Sequence, residues 1–145
     1  MVLCVDTSLL VSLFVEEEHS RKAWDWMGEQ DERILLSPLN ELEFVNALAL
    51  RVFRQQLTDS EVFDAEEKFS RMKRGKFFQV GKAPREIWTR ASRIAAEHSA
   101  GIGNRSLDVW QVAFALDQKA EVFGTFDWRQ RQLAERVGLQ VNPMD

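Results

Sequence analysis

Val2-Leu3-Cys4-Val5-Asp6-Thr7-Ser8-Leu9-Leu10 opens the chain, and its reading decides the fold. Four apolar residues in succession, without polar alternation, describe a strand covered on both faces, the kind found in parallel sheets. Asp6-Thr7-Ser8 then supplies helix-start chemistry, and Leu9, Leu10, Leu13 and Phe14 recur at helical spacing. A buried strand running straight into a helix is the repeating unit of a layered α/β domain. An acid sits at the joint.

The same alternation continues outward. A second helix is expected from about Ser20 to Gly28 and a strand from Arg33 to Leu36. Ser37-Pro38 opens a helix with a capping hydroxyl and Pro at its first position; Leu42, Val45, Leu48, Ala49 and Phe53 read as its core stripe. Thr58 with Glu61 makes a capping box, and Leu57 with Val62 a hydrophobic staple, for a helix that stops near Gly75. Phe77, Phe78 and Val80 suggest a third strand. Pro84 opens a helix carrying Ile87, Trp88, Ala91, Ile94 and Ala95, which ends around Gly101 and Gly103. Leu107 to Lys119 is almost continuously apolar, as a buried helix is. Val122 to Thr125 reads as a strand. Asp127 caps a helix that Gly138 stops, and Leu139 to Val141 closes the series. The expected class is α/β: one domain over residues 1–145, with a mostly parallel sheet of four to five strands and helices on both faces. Strand order does not follow from these patterns.

Composition narrows the function. Hydrophobic residues make up 45% and charged residues 29% of 145 residues, which excludes disorder and suits one core. Cys4 is the only cysteine, so neither an internal disulfide nor a cysteine zinc cluster can form, and a reducing cytoplasm is expected. No basic segment leads into a long apolar run, and no stretch reaches the length of a membrane span. The expectation is a soluble, unexported protein. A net charge of −4 argues against nucleic-acid binding by bulk electrostatics. It leaves room for a local basic strip, here Lys68, Arg71, Lys73, Arg74 and Lys76, with Arg51 and Arg54 as neighbours. His19 and His98, the only histidines, are expected on helix surfaces or ends. No nucleophile triad is available.

The chemistry rests on four acids far apart in the chain: Asp6, Glu43, Asp108 and Asp127. Asp6 and Asp127 follow strands, which places them at the carboxyl rim of a parallel sheet, where open α/β folds bind their ligands. Glu43 and Asp108 lie within the first two turns of helices that start at the same rim. Each alone could be a cap or a first-turn acid favoured by the helix dipole. Together they crowd negative charge into one volume, which a divalent cation relieves. An all-oxygen set suits Mg²⁺ or Mn²⁺. Glu41 lies about 200° round the helix from Glu43 and cannot share its target. Glu43 is preferred, with Asn46 on its face as a supporting amide.

The runs Val5-Asp6-Thr7-Ser8, Glu43-Phe44-Val45-Asn46-Ala47-Leu48, Arg105-Ser106-Leu107-Asp108 and Thr125-Phe126-Asp127 with Arg129-Gln130, closed by Gly138-Leu139, resemble a PIN domain across nearly the whole chain. They are similar in particular to the VapC-type toxin ribonucleases of bacterial toxin–antitoxin pairs. The resemblance implies a three-layer α/β/α fold and Mg²⁺- or Mn²⁺-dependent endoribonuclease activity. Asp6, Glu43, Asp108 and Asp127 would hold one or two metals, with Ser8 and Thr125 as hydroxyl neighbours. It further implies an RNA substrate, a small VapB-like antitoxin partner and a homodimer; Arg51, Arg54, Arg71 and Arg74 of the basic strip are the candidate RNA contacts. Trp24 or Trp26, and Phe44 or Phe53, could serve such interfaces, with one of each pair expected in the core. One departure is visible: Gln111 stands where many relatives carry a His.

Other enzymes of the same layered class fit less well. A haloacid-dehalogenase-type phosphatase needs an acid two residues after the first Asp, where Ser8 stands. A receiver domain needs an acidic pair, a mid-chain phosphoacceptor and a late Lys that are missing as a set. A PIN-like module without catalysis is the alternative from another class; within the same class, the alternative is a PIN nuclease outside any toxin–antitoxin system.

Overall fold

A computed structural model describes residues 1–143. Strands and helices alternate as β1 (Leu3–Val5), α1 (Thr7–Phe14), α2 (Ser20–Gly28), β2 (Ile34–Leu36), α3 (Pro38–Phe53), α4 (Asp59–Arg74), β3 (Phe78–Val80), α5 (Glu86–Ile102), α6 (Ser106–Asp117), β4 (Val122–Gly124), α7 (Trp128–Arg136) and β5 (Gln140–Asn142). The five strands form one parallel sheet in the order β3-β2-β1-β4-β5. Each strand is only three residues long, so the layers of helix on either side hold the sheet as much as its own ladder does.

Side-chain alternation divides the core in two. Leu3, Val5, Ile34, Leu36, Phe78 and Val122 point to one face, where they meet Leu9, Leu10, Phe14, Trp26, Phe44 and Phe69 of α1 to α4. Cys4, Phe123 and Val141 point to the other face and meet Ile87, Trp110, Phe114 and Leu133 of α5 to α7. This is the three-layer α/β/α arrangement expected. No helix among the described residues is long and apolar enough to cross a membrane.

The start signals act as read. Asp6, Ser37, Thr58 and Asp127 each accept a backbone N–H of the helix that follows. Gly103 ends α5 with φ +84°, the left-handed conformation that an L side chain resists. Trp26 and Phe44 are buried, while Trp24 and Phe53 are exposed.

One reading is corrected. Of the expected stripe Leu42, Val45, Leu48, Ala49 and Phe53 only Leu48 is buried; the other four line a side of α3 that faces solvent, with Leu42 63% and Phe53 83% exposed. The buried face is Asn40, Phe44 and Leu48. Helical periodicity identifies an apolar face without saying which way it turns, and Asn40 disguised the inward one. Its amide is satisfied there: Oδ1 accepts Ser37 N–H at 2.7 Å, and Nδ2 donates to the Val5 carbonyl at 3.4 Å. A polar residue so paired is buried at little cost, and it ties the start of α3 to the end of β1.

Candidate metal centre

The strand order turns at β1. The chain runs outward through β2 and β3, then returns to place β4 on the opposite side of β1. Beyond the carboxyl ends of β1 and β4 lies the crevice where open α/β sheets bind ligands. Asp6 follows β1 directly, and Thr125 to Asp127 follow β4.

Asp6 is 6% exposed and surrounded by donors. Its Oδ1 accepts from Ser8 Oγ at 2.6 Å and from Leu9 N–H at 3.2 Å, and its Oδ2 accepts from the Thr125 hydroxyl. Thr125 Oγ1 in turn accepts Asp127 N–H at 2.9 Å, and Ser8 Oγ accepts Phe126 N–H at 3.2 Å. The two hydroxyls thus lock the Thr125-Phe126-Asp127 turn onto Asp6. Burial raises the Asp6 carboxyl from 3.8 to about 7 against those hydrogen bonds, and the charge of Asp127 adds to the rise. Asp108 is also raised, first by burial and then by Asp127 and Glu43. The acids therefore feel one another, which is the electrostatic signature of a site short of positive charge.

Glu43, Asp108 and Asp127 line a single cavity of about 480 Å³ together with Arg105, Ser106, Leu107 and Arg129. Asp6 lies behind Asp127, linked to it through Thr125. Among the described residues no three acids stand close enough together to hold a metal ion as they are placed. The donor set nevertheless fits a hard cation: all oxygen, mutually repelling, and partly stripped of water.

Two donors fix Glu43. Gln111 Nε2 reaches Oε1 at 2.6 Å and Thr7 Oγ1 reaches the same oxygen at 3.1 Å. Gln111 is 2% exposed, so its amide has no competing water. Glu41 leaves the site altogether and pairs with Lys73 at 2.8 Å. Asn46, expected to support Glu43, is exposed, and the supporting amide is Gln111 instead. A further strut is Gln130, whose side chain donates to the Asp108 carbonyl at 3.0 Å while its N–H caps onto Asp127 at 3.0 Å. Arg51, Arg54, Arg71 and Arg74 do not line this cavity, whereas Arg105 and Arg129 do.

Sequence reading gave no role to Thr7, Gln130, Arg105 and Arg129, although they stand in the quoted runs, and noted Gln111 only as a departure from the relatives' His. Gln111 carried a faint signal, as an uncharged polar residue within the most apolar helix. The others become visible only when α1, α3, α6 and α7 are brought to one rim.

The family model of the PIN domain matches residues 3–136. No curated protein matches the chain. Among solved structures, it is similar to VapC20 of Mycobacterium tuberculosis, described as a sarcin-ricin loop cleaving toxin. The TM-score is 0.74 at 14% identity, over 97% of this chain and 99% of that one. It is also similar to FitAcB of Neisseria gonorrhoeae, with a TM-score of 0.67 at 17% identity over 97% and 96% of the two chains. For VapBC-1 of nontypeable Haemophilus influenzae the TM-score is 0.60 at 17% identity, over 98% and 97%.

Proposed function

The chain belongs to the PIN domain family, and from that premise we propose that it is a Mg²⁺- or Mn²⁺-dependent endoribonuclease, the toxin of a type II toxin–antitoxin pair. The observation that carries the reading is the cavity shared by Glu43, Asp108 and Asp127, with buried Asp6 wired to Asp127 through Thr125. The names of the structural neighbours favour the toxin role: one is described as a toxin that cleaves the sarcin-ricin loop, and another is VapBC-1, in keeping with the VapC-type resemblance.

In this reading Asp6 and Asp108 would hold the principal ion and Asp127 would serve a second, while Ser8 and Thr125 keep Asp6 in one orientation. A divalent ion supplies positive charge against the phosphodiester oxygens and lowers the pKa of water. Glu43 has one oxygen taken by Gln111 and Thr7, which leaves Oε2 to orient the attacking water and accept its proton. The antitoxin is a small VapB-like protein, and the toxin acts as a homodimer. The solvent-facing stripe Leu42, Val45, Ala49 and Phe53 on α3 offers apolar surface for such contacts.

Purified protein incubated with total RNA and Mn²⁺ should give discrete cleavage products, abolished by EDTA and mapped by sequencing their ends. Asp6→Asn and Asp108→Asn should each lower turnover by about two orders of magnitude or more, with circular dichroism unchanged. Turnover unchanged from wild type in both variants would remove the proposed centre.

A further inference from the structure

The wall of the acidic cavity holds two cations that metal binding does not explain. Arg105 and Arg129 line it beside Glu43, Asp108 and Asp127. A permanent positive charge next to a divalent ion is repulsive, and arginine cannot relieve it by losing a proton. Arg105 offsets part of the Asp108 charge. Yet neither guanidinium stands within ion-pair distance of a carboxylate among the described residues.

Both arginines are placed by backbone that other contacts fix. The Arg129 carbonyl accepts Asn104 Nδ2 at 3.1 Å. Its side chain passes over Gly103, where a Cβ would come within 4.0 Å of Nε. Arg105 is extended, with φ −88° and ψ 159°, immediately before α6, and its side chain makes no capping bond. One fork therefore comes from the α5–α6 turn and the other from the start of α7, and they meet at one mouth.

We infer that Arg105 and Arg129 form a clamp for the RNA backbone, binding the phosphodiester next to the one placed over the carboxylates. The inference rests on the nuclease reading and deepens it. Guanidinium forks bind phosphate oxygens in pairs, and a flanking phosphate is the one anion that every single-stranded RNA brings to this mouth. The basic residues of α3 and α4 are otherwise engaged or elsewhere. Arg51 pairs with Glu17 at 2.8 Å and Lys73 with Glu41 at 2.8 Å. Arg71 lines a separate cavity beside Glu61, Asp64 and Glu67.

The test compares Arg105→Gln, Arg129→Gln and the double variant Arg71→Gln/Arg74→Gln, all at exposed positions. Three quantities are read: kcat and KM on a fluorescent single-stranded RNA with Mn²⁺, Mn²⁺ affinity by calorimetry, and RNA affinity by anisotropy over a salt series with Ca²⁺ replacing Mn²⁺. Each of Arg105→Gln and Arg129→Gln should raise KM about tenfold with kcat within about threefold, and reduce the slope of log affinity against log salt by roughly 0.7 to 1. Mn²⁺ affinity should hold or tighten, and a KM rise in the Arg71/Arg74 variant larger than in either single variant would overturn the clamp. Wild-type KM and salt slope in the first two variants would overturn the clamp, as would loss of Mn²⁺ binding in them. A wild type that cleaves no RNA removes the nuclease reading instead, and the anisotropy series then decides the clamp alone: no binding, or a slope the two substitutions leave intact, overturns it.

Discussion

Asp6 is asked to be buried and charged at once. Its carboxyl is raised from 3.8 to about 7, chiefly by burial. The native state therefore holds a proton between roughly pH 4 and 7 that the unfolded chain has released, so metal-free stability falls as pH rises through that window. The full cost, reached above pH 7, is about 4 kcal/mol. Asp6→Asn removes the charge and keeps the shape. In EDTA the variant should be more stable than wild type at pH 8 by up to a few kcal/mol, an advantage that fades towards pH 4; urea melts at the two pH values measure it. A difference that ignores pH would mean that Asp6 is not titrating against its burial. Asp6 was legible in the sequence because strand, acid and helix are contiguous. The angle between Glu41 and Glu43 showed only that one of them faces the site; Glu43 was preferred for Asn46 on its face, yet Asn46 is exposed, and it is Glu41 that turns away to Lys73. The Gln111 contact was not legible, because it joins residues 68 positions apart on separate helices.

Elements carry the site as much as residues do, and β4 shows how tightly. Gly124 closes that strand where α1 and α2 press against it. A Cβ there would come 2.9 Å from Val5 Cγ1, 3.0 Å from Leu9 Cδ1 and 3.2 Å from Trp26 Cη2. None of the three can retreat far, since all are core residues exposed by 6% or less. Gly124→Ala should therefore cost about 1–3 kcal/mol in a urea melt. It should also weaken Mn²⁺ binding, because the displaced strand end carries Thr125 away from Asp6. Wild-type stability and affinity together would mean that the layers are looser than these distances indicate. Helix starts were legible because capping is local chemistry: Ser37-Pro38, Thr58 with Glu61, and Asp127 each act within one turn. The facing of α3 was not, because the solvent-facing stripe Leu42, Val45, Ala49 and Phe53 reads as more apolar than the inward face that carries Asn40. Asn40, a polar residue pointing inward, makes sense only once the Val5 carbonyl is seen beside it.

At the scale of the whole molecule, the order β3-β2-β1-β4-β5 converts distance along the chain into proximity. Continuous apolar strands state that both faces are covered and leave open which strand lies beside which, so the class was readable and the order was not. Once β1 and β4 are neighbours, Asp6 and Asp127 stand at the reversal point, and α3 and α6 deliver Glu43 and Asp108 to the same rim. Four acids gathered by topology repel in the folded state and not in the unfolded chain, where they are far apart. The fold is thus held below its attainable stability until a cation arrives. Saturating Mn²⁺ at about a hundredfold over its dissociation constant should add about 2.7 kcal/mol. For a chain near this size that corresponds to a rise in Tm of roughly 5–10 °C. The rise should be larger at pH 8 than at pH 5, where the raised pKa of Asp6 leaves it protonated. Asp108→Asn should melt cooperatively and lose most of the shift. Differential scanning fluorimetry across a Mn²⁺ series, reversed with EDTA, reads all of this in one plate. A Tm unmoved by Mn²⁺ and by Mg²⁺ at both pH values would mean that the gathered carboxylates bind no cation, and the chain would then be a PIN-fold binding module.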